Sequence, residues 1–247
     1  MTSAAGSSFE PLQIRPTTRV FVLTGAGISA ESGIRTFRDS GGLWEENRVE
    51  EVASPEGWRR DAELVWRFYS LRRGQARSCV PNAAHVGLAK LEEGVGDKLY
   101  LCTQNVDPLH ERGGSKRVVH MHGELMKSRC ERCDLPPFDD AGEYMSASAI
   151  PRCVCGGRIR PHICWFGEVP FFLDEIAEAL GRSDVFVTIG SSGAVYPAAG
   201  FVRAARVRRG TRCIYVGPEE PENAAAFDEC RLGAATEIVP SLFRVVR

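Results

Sequence analysis

Hydrophobic positions along this chain gather in short, nearly unbroken runs. Arg19–Thr24, Lys98–Thr103, Arg117–His120, Asp184–Gly190, Arg212–Val216 and Glu237–Val239 each read as a strand apolar on both faces. That is the character of a parallel sheet covered on both sides. Between these runs the apolar spacing turns helical. Ala62–Ala76, a segment capped by Asn82 and running to about Glu93, Phe171–Leu180 and Pro197–Arg208 are predicted helices, with Pro197 suited to a first turn. The alternation predicts an α/β fold built on a doubly wound parallel sheet. Two stretches interrupt it. One is helical, over 44–91, and the other is cysteine-bearing and Pro/Gly-rich, over 124–161. The sheet domain is therefore expected from 15–43, 92–123 and 162–247, after a disordered start over 1–14.

The first strand empties into Gly25-Ala26-Gly27-Ile28-Ser29-Ala30, which fits G-x-G-x-x-G/A. Glycine at such a turn lets backbone N–H groups approach a pyrophosphate, so the turn points to a dinucleotide. A second strand ending in an acidic residue about 20 positions on, usual for hydride-transfer enzymes, does not follow. A polar loop does, with Thr36-Phe37-Arg38 and Gly41-Gly42-Leu43-Trp44. Chemistry other than hydride transfer is implied.

Three later strand ends carry polar groups. Thr103-Gln104-Asn105-Val106-Asp107 offers amides and a carboxylate suited to ribose hydroxyls and a carboxamide. Singly, Asn105 or Asp107 also reads as an Asx turn. His120-Met121-His122-Gly123 ends another strand. Alternation puts the two histidines on one side, and His122, at the terminus, is the candidate general base. Gly190-Ser191-Ser192-Gly193 reads as a further phosphate or ribose contact. In open α/β sheets ligands bind at such strand ends.

Cys130-x-x-Cys133 and Cys153-x-Cys155, with nineteen residues between the pairs, have the pattern of a structural tetrahedral zinc site. The second pair is one residue tighter than usual, which leaves His162 as a substitute ligand. Four thiolates leave no open position, so this zinc would be structural. Nine cysteines, an odd number, with no export signal argue for a reducing cytoplasm over a disulfide framework.

Composition then excludes classes. A chain of 247 residues with 43% hydrophobic and 26% charged residues can bury a sizeable core. A net charge of −1 argues against a bulk nucleic-acid binder or a polybasic membrane anchor. No apolar run reaches the roughly 18–20 residues of a membrane span.

In order, GAGISAESGIRTFRDSGGLW, TQNVD, HMHGEL, the two cysteine pairs, RPHICWFGE, GSSGAVYPAAGF and EIVP resemble the sirtuins, NAD-dependent protein lysine deacylases, over about Arg19–Leu242. The resemblance implies a Rossmann-like domain and a smaller helical plus zinc-binding domain, with NAD and an acyl-lysine protein or peptide meeting between them. It places Gly25, Ala26, Gly27, Ser29, Phe37, Arg38, Trp44, Gln104, Asn105, Val106, Asp107, Gly190, Ser191, Ser192, Val216, Gly217 and Ala235 at NAD. Asn105 also serves catalysis, with His122 as base. Phe166, Gly167, Glu168 and Val195 would bracket the peptide as an added strand. Phe37, Trp165 and Phe166 would wall out water. The implied products are free lysine, nicotinamide and O-acyl-ADP-ribose, made by a monomeric, cytoplasmic enzyme with no nucleic-acid or membrane partner. The chain departs from the family at Pro108, where glycine is common, and in reading Gly-Ser-Ser where Gly-Thr-Ser is commoner. Val216-Gly217-Pro218 also replaces a segment that often supplies an asparagine.

Tyr69 and Arg72 stand at i and i+3 of the predicted helix, where a phenol and a guanidinium converge. Alone, the pair also reads as an ordinary amphipathic surface. It resembles the pair in the sirtuin subgroup that removes acidic acyl groups such as succinyl and malonyl, without excluding acetyl. An ADP-ribosyltransferase and a catalytically silent reader of NAD or acyl-lysine are the competing readings.

Overall fold

The computed structural model describes residues 9–34, 43–44 and 47–246. Its strands are β1 (Leu12–Ile14), β2 (Val20–Thr24), β3 (Leu43–Trp44), β4 (Asn47–Arg48), β5 (Leu99–Thr103), β6 (Val118–His120), β7 (Gly123–Cys130), β8 (Phe138–Asp139), β9 (Ile159–Ile163), β10 (Val185–Ile189), β11 (Arg212–Gly217), β12 (Glu229–Leu232) and β13 (Phe243–Val245). The α-helices are α1 (Val49–Val52), α2 (Pro55–Arg60), α3 (Ala62–Ser78), α4 (Ala83–Val95), α5 (Leu109–Arg112), α6 (Leu173–Arg182), α7 (Phe201–Ala205) and α8 (Ala235–Leu242).

Six strands form one parallel sheet in the order β12-β11-β10-β2-β5-β6. The chain leaves β2 toward β5 and β6, then returns to the other side through β10. This is the doubly wound order, and its switch point lies between β2 and β10. Val20 and Val22 face one core with α4 and α8. Phe21 and Leu23 face the other with α6 and α7. Two-sided burial explains why these strands read as unbroken apolar runs.

Four expectations are corrected. Glu237–Val239 is not a strand but part of α8, because Ala235, Val239 and Leu242 form one helical face buried in the sheet's core. Gly87 on α4 permits that packing, since a Cβ there would meet Val239 Cγ1 at 3.3 Å. The sixth strand is instead β12, whose sequence ECRL hides it behind polar residues. The disordered start does not extend to residue 14, because β1 pairs in parallel with β13 and buries Leu12 and Ile14. Finally, α4 crosses the expected boundary at residue 91, and Ala84, Leu88, Leu91 and Val95 all pack with the sheet, so the insertion ends before this helix. The Pro197–Arg208 helix is also shorter, a 3₁₀ turn over Ala198–Gly200 followed by α7.

The smaller part joins α1–α3 to the antiparallel sheet β8-β7-β9 around Trp58, Trp66 and Trp165. Its pin is Arg73, fully buried on α3. Arg73 donates to the carbonyls of Leu125, Gly142 and Lys127 and to Ser128 Oγ, and lies 3.3 Å from Asp140. The face of α3 bearing Tyr69 and Arg72 is thereby fixed to the cysteine-bearing sheet.

Candidate active site and metal centre

The expected dinucleotide turn follows β2 at the switch point. Gly25 N–H donates to Ile189 O at 2.9 Å and Gly27 N–H to Gly190 O at 2.8 Å. A Cβ on Gly25 would lie 2.8 Å from Gly190 O, and one on Gly27 2.7 Å from Gly190 Cα. Gly190 has φ +64. These glycines interlock two loops, a constraint that the pyrophosphate argument does not contain. Ala26 is half-buried between them and its carbonyl accepts from Ser29 N–H.

Beneath the turn lies a buried polar network. The Ser29 hydroxyl donates to Asp107 Oδ2 at 3.2 Å and accepts from Asn105 Nδ2 at 3.2 Å. Asp107 also accepts the Leu109 N–H at 3.1 Å. Burial pushes its carboxyl above the usual range, opposed by those two donors and by the charges of His120 and Arg72. Gln104 Nε2 donates to Ser191 Oγ at 2.9 Å, joining the ends of β5 and β10. Ser192 accepts Ala194 N–H on its hydroxyl and Glu222 N–H on its carbonyl. Val106 accepts Leu125 N–H and packs against the smaller part's core. Val216 and Ala235 bury their side chains with the sheet, and a Cβ on Gly217 would strike the Tyr215 hydroxyl. Only the backbone of these three can serve a ligand.

His122 stands in the turn after β6 with Nδ1 3.1 Å from Gln104 O. A carbonyl only accepts, so Nδ1 carries the proton and Nε2 the lone pair. Burial lowers its pKa, opposed by the Gln104 bond. The ring is a neutral base, as general-base work near neutrality requires. His120 sits apart, in contact with Asn105 O and Glu111, so the two histidines do not share one environment. Sequence reasoning missed Glu111, His85 and Thr24. His85 Nε2 lies 3.4 Å from Ser29 Oγ, and Thr24 bridges Thr103 and His110. No spacing rule marks them, because the turns create these contacts. His85 and His162 are each lowered to about 4, chiefly by burial. Both are neutral in the fold and protonated in the unfolded chain between pH 6.5 and 4. Stability falls as pH drops through that window, which a series of urea midpoints against pH will show.

On the other side, Tyr69 is fully buried and accepts from Trp165 Nε1 at 3.0 Å. Burial raises its phenol to about 12, opposed by the Arg72 charge. Arg72, 6% exposed, acts electrostatically on both Tyr69 and Asp107. Phe166 and Val195 are exposed, and Gly167 has φ +88. The Glu168 carboxylate is committed: it accepts from Arg160, Arg129 and Trp165 N–H. Its N–H donates to Trp165 O, so its carbonyl is what remains for a peptide. Phe37 and Arg38 lie outside the described residues, and for Trp44 only the backbone is described, in β3.

The four cysteines converge. All four sulfurs lie within 4.8 Å of one another, with Cys130–Cys155 at 3.5 Å and Cys133–Cys153 at 3.6 Å. Thiolates about 2.3 Å from a tetrahedral zinc lie roughly 3.8 Å apart, so the donors fit one zinc ion. The tight C-x-C closes because Gly156 turns with φ +81 and Cys153 N–H donates to Gly157 O. His162 is not part of the cluster; it stacks on Phe171 at 4.7 Å.

The sequence model of the Sir2 family matches residues 25–197. A relative from Caulobacter vibrioides named NAD-dependent protein deacylase is 49% identical over 92% of this chain and 96% of its own length. Another of that name, from Yersinia pseudotuberculosis, is 53% identical over 91% of this chain and 81% of its own. Among solved structures, a Sir2 homologue in complex with NAD matches with a TM-score of 0.82 at 38% identity, covering 92% of this chain and 89% of that one. A Sir2 protein bound to acetylated peptide matches with a TM-score of 0.76 at 31% identity, covering 90% of each chain. On this match across sequence and fold, the chain belongs to the Sir2 family.

Proposed function

We propose that this protein is an NAD-dependent protein lysine deacylase that converts acyl-lysine, NAD and water to lysine, nicotinamide and O-acyl-ADP-ribose. The observation that carries the reading is His122. Its Nε2 lone pair has no partner among the described residues, and its Nδ1 is held by the carbonyl of Gln104 in the polar turn that carries Asn105 and Asp107, with family-wide likeness to NAD-consuming deacylases. In this reading the loops of Gly25–Ser29 and Gly190–Ser192, with the backbone of Val216, Gly217 and Ala235, hold NAD. Phe37, Arg38, Trp44 and Val106 belong to the same pocket. Gln104 and Asn105 meet the ribose, and Asp107 accepts from the nicotinamide amide. Holding the acyl oxygen beside the ribose carbon is a proximity effect. His122 then takes a proton from a ribose hydroxyl, which attacks the acyl carbon. Phe166, Gly167, Glu168 and Val195 hold the peptide backbone by strand addition.

The sheet domain is assigned to NAD, and the helical part with the cysteine module to the acyl-lysine side. The zinc held by Cys130, Cys133, Cys153 and Cys155 is structural. All nine cysteines are free, which suits a monomer in the reducing cytoplasm. No helix among the described residues is long and apolar enough to cross a membrane. Neither a nucleic acid nor a membrane is a partner in this reading. A matched panel of acetyl- and succinyl-lysine peptides with NAD, following nicotinamide release and products, tests it. An ADP-ribosylated protein in place of O-acyl-ADP-ribose would favour the transferase instead.

Tyr69 and Arg72 set the acyl preference toward succinyl and malonyl, with acetyl retained. A charged hydrogen bond is worth about 1.5–3 kcal/mol, roughly 10- to 150-fold. Arg72→Met keeps the stem and deletes the charge. It lowers kcat/KM for succinyl-lysine by that factor and spares acetyl-lysine. Tyr69→Phe shows the same bias more weakly. Equal loss on both peptides would make Arg72 a fold residue instead.

A further inference from the structure

Two histidines leave the end of β6 and meet opposite surroundings. His122 keeps an Nε2 with no partner among the described residues. His120, 5% exposed, has an acceptor at each nitrogen: Asn105 O lies 2.9 Å from Nδ1 and Glu111 Oε1 2.7 Å from Nε2. The carbonyl can only accept, so Nδ1 carries a proton. A neutral ring would then aim the Nε2 lone pair at a carboxylate. We infer that His120 and Glu111 form an ion pair that positions Asn105 for the ribose of NAD, an inference that rests on the deacylase reading.

The surroundings favour the charged ring. Glu111 on α5 and Glu124 on β7 stabilise it, and Asp107 faces it from the turn after β5. The other facing groups are the buried rings of His110 on α5 and His162 on β9, both held below the usual histidine value. Lys127 on β7 acts on Glu111. Burial of His120 opposes its charge, but the Glu111 contact prevails and the pKa rises, while that of Glu111 falls. The Glu111 side chain is 42% exposed, so its carboxylate keeps water as well as the ring.

The purpose of the pair follows from Asn105. Its carbonyl is gripped by His120, its N–H donates to Thr103 Oγ1 at 3.0 Å, and its Nδ2 donates to Ser29 Oγ at 3.2 Å. These anchors leave the amide oxygen, which has no bond among the described residues, to accept from a ligand hydroxyl. His120 is thus a positioning residue, two positions from the base and in the opposite protonation state.

Nitrogen NMR of the histidine rings in the full chain at pH 7 should show His120 as imidazolium and His122 as neutral. Glu111→Gln should neutralise the His120 ring at that pH and weaken calorimetric NAD binding about tenfold. The alkaline limb of kcat/KM for NAD should move to lower pH. His120→Asn retains an N–H donor toward Asn105 O without the charge, and should bind NAD more tightly than His120→Leu. A neutral His120 ring in the unaltered protein overturns the inference. So does unchanged NAD binding in Glu111→Gln, or equal loss in the Asn and Leu variants. Ring ionisation and NAD binding are read without any acyl peptide. Absent deacylation with a charged His120 and tight NAD binding would therefore overturn the function reading and leave the pair standing.

Discussion

His122→Ala is expected to lower deacylation by about 10²- to 10⁴-fold, the usual contribution of a positioned general base, with metal content and fold unchanged. The reason is local. Nδ1 is spent on Gln104 O, which leaves the Nε2 lone pair without a partner among the described residues, and His120 cannot replace it because both its nitrogens are occupied. The pH dependence follows in sign. Burial holds the His122 pKa below the ordinary 6.5, so the base form already predominates at neutral pH. The kcat/KM should climb with pH through that lowered value and hold until the alkaline limb set by the His120 ring, whose pKa is raised. Asn105→Ala should impair the reaction as well, through the ribose site. Steady-state rates across pH, with calorimetric NAD binding as a control, check both variants. Near-normal turnover by His122→Ala would remove it as the base.

The strand ends that frame this chemistry were legible in the sequence because each long apolar run stops at a polar cluster. Gln104, Asn105 and Asp107 close β5, and His122 follows β6. What holds them was not legible. Ser29 meets Asp107 across 78 positions, and Gln104 meets Ser191 across 87. Glu111 reaches His120 only because α5 is a single turn that brings the chain back beside β6. Nor did the Gly25 and Gly27 turn disclose that it interlocks with Gly190, since the clash that forbids a Cβ comes from another loop.

The same physics separates the elements that were readable from those that were not. β2 and β10 are buried at all five positions and could hardly be missed. β12 carries Glu229 and a buried Arg231 that pair with each other, so a strand of the sheet looks polar. β7 alternates burial along GELMKSRC except at Met126 and Lys127, where its register with β9 shifts, and it lies in the smaller part, away from the parallel sheet. α8 is short and apolar, the case in which periodicity cannot tell strand from helix. Only packing against α4 decides it.

Zinc removal should have the largest effect on stability, and it should be selective. The segment from Cys130 to Cys155 has little core of its own: Leu135, Phe138, Met145 and Val154 are all exposed. Structural zinc contributes about 10–16 kcal/mol in small modules, comparable with the whole 5–15 kcal/mol stability of a typical domain. Without it, thiolates packed at 3.5 and 3.6 Å repel one another, which opposes the few backbone bonds that close the turns, such as Cys153 N–H to Gly157 O. Cys130→Ser, or chelation, should therefore release one zinc per chain and melt β7–β9. The melt travels to α3, because Arg73 is anchored on the carbonyls of Leu125, Lys127 and Gly142. Tyr69 and Arg72 ride on that helix, so acyl-peptide binding should fail. The parallel sheet has separate cores above and below it and should persist. Hydrogen exchange resolves the two parts: amides of Gly123–Cys130 and Ile159–Ile163 should lose protection while those of Val20–Thr24 and Val185–Ile189 keep it. A zinc-free protein that retains protection in all four segments and still turns over acyl peptide would refute the metal's structural role.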